Sequence, residues 1–290
     1  MKIIKPSVEF FGAVPTDCDE VIKFIEIAGR TCYKSEDKIT PDGAKKFVSR
    51  LIKNKHLAMV EHSNFVLRMP YPTIHIPNLI TIIESLSGKF LNITQDDDYI
   101  YIGGNLIAWY QRGNMIGWYD SIFSVFGEVY TDLFDIHIFN PPGSVWAVCP
   151  HDEIPQRLHR YSAKFICDRG VSHELVRHRL CSFAQESTRY VNYAGKDMEF
   201  IEPDNFDSWS KVNKYSFIQC CEQAEIDYQH LRSNELKPQQ ARAVLPNALK
   251  TEIIVTADMD EWMHIRKLRT AKDAHPDMQR VMNMMPWLEF

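Results

Sequence analysis

Glycine is scarce, with 12 in 290 residues, and it never forms Gly-x-Gly-x-x-Gly after a strand or a phosphate-binding P-loop. The two common glycine-built cradles for dinucleotides and triphosphates are therefore missing, so side chains must hold any nucleotide-like ligand. The seven cysteines, Cys18, Cys32, Cys149, Cys167, Cys181, Cys220 and Cys221, are odd in number and include no Cys-x-x-Cys pair. That argues against a disulfide framework and against a zinc site. No run approaches eighteen apolar residues, and the opening Met-Lys-Ile-Ile-Lys-Pro is broken by charge and proline. A membrane span is not expected, and the chain reads as cytoplasmic. Positive charge is also in deficit: the net charge of -5 disfavours a general nucleic-acid binder, which gains affinity from broad basic surfaces. There is no internal repeat and no low-complexity tract. The 45% hydrophobic content suffices for a substantial core in one large domain or two small ones.

Against that acidic background one segment is strongly cationic. Arg169, Arg177, Arg179 and Arg189, with His173 and His178 between them, fall within twenty-one residues. Successive residues on a helix point about 100° apart, so Arg177, His178 and Arg179 on a helix cannot share one solvated stripe. At least one must face inward or towards a neighbour. The segment offers only Asp168, Glu174 and Glu186 as internal carboxylates, so a local ion-pair network competes with an anion site as the explanation. A phosphorylated small molecule fits best. His173-Glu174 followed by His178 only superficially resembles a zinc-protease motif, since histidines five apart lie roughly 140° apart around a helix, and no metal is expected.

Periodicity predicts a strand over about 3–11, a helix capped by Asp19 and running to Gly29, and a helix capped by Thr40 with Pro41 in its first turn. The second helix carries the apolar stripe Ala44, Phe47, Val48, Leu51 and Ile52. A strand follows at 64–69. Phe90–Thr94 and Tyr99–Ile102 alternate around the acidic turn Asp96–Asp98 as a hairpin, and Gly103-Gly104-Asn105 leads into a helix containing Trp109. Pro141-Pro142-Gly143 marks a loop. The aromatics Trp109, Tyr110, Trp118, Tyr119 and Trp146 read as a small core or a subunit contact. Further along, a strand is expected at 161–167, a helix from Val171 through Arg179 and a strand at 188–193. A long helix at 208–233, a short one carrying Arg242, a strand at 251–256 and helices from Asp260 and Pro276 complete the pattern. Alternating helices and strands indicate an α/β or α+β domain, with strand order open.

The Arg177-His178-Arg179 triplet, seven residues and then Ser187 resembles the signature of flavin-dependent thymidylate synthases. Val60-Glu-His-Ser-Asn-Phe65 resembles the family's Phe-Glu-His-x-x-Phe element, Ala241-Arg-Ala-Val-Leu-Pro246 its Ala-Arg-x-x-Leu-Pro element, and Leu268-Arg269 its Leu-Arg pair. All four stand in the family's order. The resemblance covers roughly 1–70 and 157–285. It implies a single domain over 1–290 of the thymidylate synthase-complementing type: α/β (α+β), a central, mainly antiparallel sheet flanked by helices, with an inserted hairpin-plus-helix region at about 71–156. It also implies a homotetramer with shared active sites.

The reaction it implies is reductive methylation of dUMP to dTMP, with methylenetetrahydrofolate as carbon donor and FAD, reduced by NADPH, as hydride source. Contacts to the flavin would come from His62, Asn64, Arg177, His178, Arg179, Gln185, Asp258 and His264. The nucleotide would be held by Glu174, Arg177, Gln185, Glu186, Ser187, Arg189, Arg242 and Arg269. Of these, Arg269 is expected to be the catalytic cation. Ser187 has no adjacent base that would make it a nucleophile. The chain departs from the family pattern at Glu174, where glutamine is common, at Ala184-Gln185 in place of Asn-Glu, and at Asp258 and His264 in place of asparagines. The alternative is a non-catalytic nucleotide- or flavin-binding regulator on the same scaffold. A phosphohydrolase is disfavoured by the lack of a metal-binding cluster in the sequence.

Overall fold

In the computed structural model, residues 1–70, 90–116 and 147–287 are described. Trp118, Tyr119, Trp146 and the Pro141-Pro142-Gly143 loop lie outside them. Among the described residues the strands are β1 (Lys2–Ile4), β2 (Ser7–Ala13), β3 (Phe65–Pro70), β4 (Leu91–Gln95), β5 (Tyr99–Gly104), β6 (Ala147–Val148), β7 (Arg160–Asp168), β8 (Ser182–Gln185), β9 (Glu199–Ile201) and β10 (Lys250–Asp258). The helices are α1 (Cys18–Tyr33), α2 (Ala44–Lys53), α3 (Leu106–Ile116), α4 (Arg169–Leu175), α5 (Lys211–Ser233), α6 (Pro238–Ala241), α7 (Met259–Arg269) and α8 (Pro276–Met282).

The expected central sheet divides into two antiparallel four-stranded sheets, β2-β7-β10-β8 and β4-β5-β3-β6, beside a parallel pair β1-β9. The single strand expected over 3–11 is two strands in different sheets. Pro6 has no N–H for a ladder, and the chain changes partner there, from β9 to β7.

Strand β10 explains most of the architecture. It pairs with β7 along its whole length, from Lys250 with Asp168 to Asp258 with Arg160, and eight of its nine residues are buried. Alternate side chains serve opposite faces. Ile254 joins Val21, Ile25, Phe47, Val48 and Leu51 of α1 and α2 in one core. Ile253, Val255 and Ala257 join Phe165, Trp262, Ile265 and Met278 in a second.

Among the helix starts that differ from the periodicity reading, three have a plain local reason. Helix α1 is capped by Asp17, whose carboxylate accepts from the Asp19 and Glu20 amides at 3.0 and 3.2 Å. Asp19 instead sits in the first turn, where a negative charge favours the helix dipole. Thr40 and Pro41 form a turn closed by Gly43 N donating to Thr40 O at 3.0 Å, so α2 starts only at Ala44. Of its expected stripe, Ala44, Phe47, Val48 and Leu51 are buried, and Ile52 is half-buried against the same core. Helix α5 starts at Lys211, with Ser210 accepting from the Asn213 amide at 3.2 Å.

The hairpin β4–β5 forms around Asp96–Asp98 and lies against β3. At Gly104 a Cβ would stand 2.1 Å from the Phe90 carbonyl oxygen, so only glycine lets the strands approach there. Leu91, Ile102, Leu106 and Trp109 join the core built by α1 and α2. The described part of 71–156 is thus packed into the main body of the protein.

Candidate active site

Helix α4 is capped by Asp168, whose carboxylate accepts from the Val171 amide at 2.8 Å, and ends at Leu175. The helix expected to continue through Arg179 does not. Strand β8 must begin at Ser182 to pair with Thr256 of β10, and the six residues between Leu175 and that point are spent on turning the chain. The turn is held by His178 N donating to Leu175 O at 3.0 Å and Cys181 N to His178 O at 3.1 Å. Only His178 of the triplet is buried, while Arg177 and Arg179 are exposed. The inward residue is the imidazole rather than a guanidinium.

Around His178 the structure assembles a compact polar group. Arg269, at the end of α7, donates from Nε to His178 Nε2 at 3.0 Å, from one terminal nitrogen to Glu174 Oε2 at 2.7 Å and from the other to the Glu174 carbonyl at 3.1 Å. Glu261 Oε1 lies 3.3 Å from His178 Nδ1, and the exposed His264 ring meets the His178 ring edge-on at 5.9 Å. Burial, then the Arg269 charge, then His264, lower the His178 pKa to about 4. His178, Glu261 and His264 offer three potential metal-ligand atoms within 4.8 Å of one another. A metal on His178 Nδ1 would leave the ring proton on Nε2, facing the Arg269 N–H, so this geometry favours a hydrogen-bonded group over a metal centre.

A second group continues from α4. Gln185 Nε2 donates to Ser172 Oγ at 2.8 Å and to Thr251 Oγ1 at 3.2 Å, and Arg169 donates to the same threonine at 3.0 Å. The strand expected over 188–193 is instead β8, ending at Gln185, followed by a turn in which the Tyr190 and Val191 amides donate to Ser187 O. Ser187, Thr188 and Arg189 therefore sit on a loop at the end of a strand. Arg242 reaches that loop, donating to Thr188 Oγ1 at 3.2 Å, and Arg189 is exposed over the Tyr190 ring.

Glu186 is buried, accepts from Tyr193 Oη at 2.7 Å and lies 3.4 Å from Lys250 Nζ. Lys250 also binds Glu252, which receives Lys34 and Lys164 as well. Burial alone would raise the Glu252 pKa, but hydrogen bonds from Lys164, Lys250 and Lys34 outweigh it and hold the carboxyl at about 2.

A third set lies at the other end of β10. His62 is wholly buried with Nδ1 2.8 Å from Thr256 Oγ1, and Asn64, also wholly buried, donates to the Leu158 carbonyl at 3.0 Å. Neither has exposed surface with which to meet a ligand in this conformation. Asp258 is the N-cap of α7, accepting from the Glu261 amide at 2.9 Å and from Asn92 Nδ2 at 3.0 Å. Thr251 and Thr256 are five residues apart on one strand, roughly 17 Å, so the expected flavin residues at His62, Asn64 and Asp258 stand apart from Gln185 within one chain.

Sequence reasoning missed Arg160 and Glu261. Arg160 is buried, and its guanidinium donates to the Glu61 and Ser63 carbonyls, to Ser182 Oγ and to the Thr256 carbonyl, at 2.7 to 3.3 Å. It clamps the His62 loop to three strands, and no local pattern marks it. Glu261 falls on the inward stripe of α7 beside Trp262 and Ile265, an acidic residue at an apolar position, which was a usable signal.

Residues 155–287 match the family model for thymidylate synthase complementing protein. The flavin-dependent thymidylate synthase of Geobacter sulfurreducens is 37% identical over 108 residues, which are 37% of this chain and 45% of the relative. That of Thermococcus onnurineus is 31% identical over 124 residues, 40% of this chain and 47% of the relative. The chain thus spans about half the length of the curated relatives it matches. Among solved structures, the UMP/dUMP methylase PolB of Streptomyces cacaoi, bound with 5-Br dUMP, aligns with 98% of this chain and 90% of its own at 15% identity and a TM-score of 0.42. No helix among the described residues is long and apolar enough to cross a membrane.

Proposed function

We propose that this protein is a flavin-dependent thymidylate synthase that converts dUMP to dTMP, taking its carbon from methylenetetrahydrofolate, with FAD reduced by NADPH. The observation that carries the reading is the fixed Arg269 guanidinium beside Glu174 and His178, within a segment that matches the family. Of the five N–H groups of a guanidinium, three are engaged by His178 and Glu174, which leaves two for a substrate. A cation held so near the uracil ring would favour its N3-deprotonated form and move electron density towards C5, the carbon that takes up the one-carbon unit.

Residues available for an anionic cofactor fit a flavin dinucleotide. Arg177 and Arg179 are exposed, and their side chains make no ion pair or hydrogen bond among the described residues, so they are free to meet phosphates. His264, on α7, packs its ring edge-on to His178, the residue between them in sequence. When bound, the flavin supplies the hydride chemistry. The chain's task is to hold the nucleotide. Ser187 and Arg189 on the loop after β8, with Arg242 anchored on Thr188, would take its phosphate and sugar, and Gln185 its polar edge, while Glu186, buried on Tyr193 and Lys250, would support that loop from behind. Glu174 orients the catalytic guanidinium. His62 and Asn64 act in this reading from behind the site, holding the loop that Arg160 clamps. Assembly as a homotetramer with active sites shared between subunits accompanies the proposal, since the two ends of β10 do not converge within one chain.

Anaerobic turnover with FAD, NADPH, methylenetetrahydrofolate and dUMP tests the reading. Formation of dTMP is the expected result. Folded protein that binds FAD but neither forms dTMP nor releases tritium from dUMP labelled at C5 would point to the regulator instead.

A further inference from the structure

We propose that Glu261 is a positioning residue for Arg269, acting through His178. Arginine has no acceptor, so the bond from Arg269 Nε to His178 Nε2 at 3.0 Å requires a lone pair on Nε2. A neutral imidazole then carries its proton on Nδ1. That nitrogen faces Glu261 Oε1 at 3.3 Å. The carboxylate therefore selects the one tautomer able to receive Arg269, and the other tautomer would set two N–H groups against each other.

The surroundings isolate this arrangement. His178 and Glu261 are 5% and 7% exposed, so water competes weakly for either. The charged or titratable groups facing His178 are Arg269, His264 and Glu261. Those facing Glu261 are His178, His264 and Asp258. Burial and then the nearby guanidinium oppose a charged imidazole, in keeping with a neutral ring. Glu261 is itself held in place, because it lies in the first turn of α7 with its amide bound to Asp258. One helix thus carries both ends of the relay, Glu261 in its first turn and Arg269 in its last. His178 bridges them, and Glu174 holds the opposite edge of the guanidinium.

The catalytic consequence rests on the proposed thymidylate synthase reading, whereas the tautomer can be measured without it. In protein labelled with ¹⁵N-histidine, the His178 signals, assigned by their loss in His178→Gln, should show a protonated Nδ1 and an unprotonated Nε2 at neutral pH. Glu261→Leu should shift the ring towards the Nε2-protonated form and lower kcat by up to about a hundredfold, the scale of a catalytic group misplaced by about 1 Å. KM for dUMP should change less than kcat. Glu261→Gln, whose amide oxygen can still accept from Nδ1, should restore both the tautomer and most of the lost rate. The Gln variant also keeps the test decisive if Glu261→Leu fails to fold. An Nε2-protonated His178 in the unaltered protein overturns the relay whatever the enzyme's activity. An unchanged tautomer in folded Glu261→Leu, or equal rates in the Leu and Gln variants, also overturns it. A correct tautomer pattern without any thymidylate formation would instead sink the functional reading and leave the relay standing.

Discussion

Replacing Arg269 with lysine separates charge from geometry at the proposed catalytic cation. The guanidinium makes three directed bonds, one to His178 and two to Glu174, and keeps two N–H groups for a ligand. A lysine ammonium preserves the charge and can reach the Glu174 carboxylate. It cannot also supply the Nε donor to His178 and a planar pair of donors facing the nucleotide. Loss of one strong transition-state contact in a site of this kind costs on the order of 3 kcal/mol, or roughly a hundredfold in rate. The charge remains, so flavin binding through Arg177 and Arg179 should change little. Tritium release from C5-labelled dUMP measures the first quantity and anaerobic flavin titration the second. Turnover within about threefold of the parent, in protein retaining its far-ultraviolet spectrum, would refute the role given to Arg269, because less than 1 kcal/mol would then separate the two cations.

Two further perturbations probe the scaffold. Trp109→Ala should destabilise the fold by about 3–5 kcal/mol in urea unfolding, because Trp109 is wholly buried in the core formed with α1 and α2. A cost near zero would mean that the region expected as an insertion is not part of that core. The second perturbation concerns acid sensitivity. Burial and then the Arg160 charge hold His62 at a pKa of about 3, while an unfolded chain binds that proton near pH 6.5. The unfolded state therefore holds the extra proton between these values. The stabilisation due to His62 is complete above about pH 6.5 and is lost as pH falls towards 3. Folded His62→Gln should show a stability-versus-pH slope between pH 4.5 and 5.5 shallower by about 1.4 kcal/mol per pH unit, and an unchanged slope would contradict the buried neutral ring.

The chain's own order of residues determined a good deal. Apolar spacing set the buried face of α2, the β-branched run at 251–256 marked β10, and Asp96–Asp98 marked a hairpin turn, because each depends on neighbours within a few positions. The motif residues Arg177, Ser187, Arg242 and Arg269 were legible for a different reason: their types and spacing resemble a family. Tertiary structure alone decided where those pieces stop and what they touch. Helix α4 ends before Arg177 because β8 must reach its partner on β10, and Pro6 divides one apparent strand because two different sheets claim its halves. Arg160 is buried because carbonyls from a distant loop and strand converge on it, and Glu261 meets His178 because α7 packs across the end of α4. Such contacts join residues 80 to 100 positions apart, and local propensity carries no information about pairings made only when the sheets close.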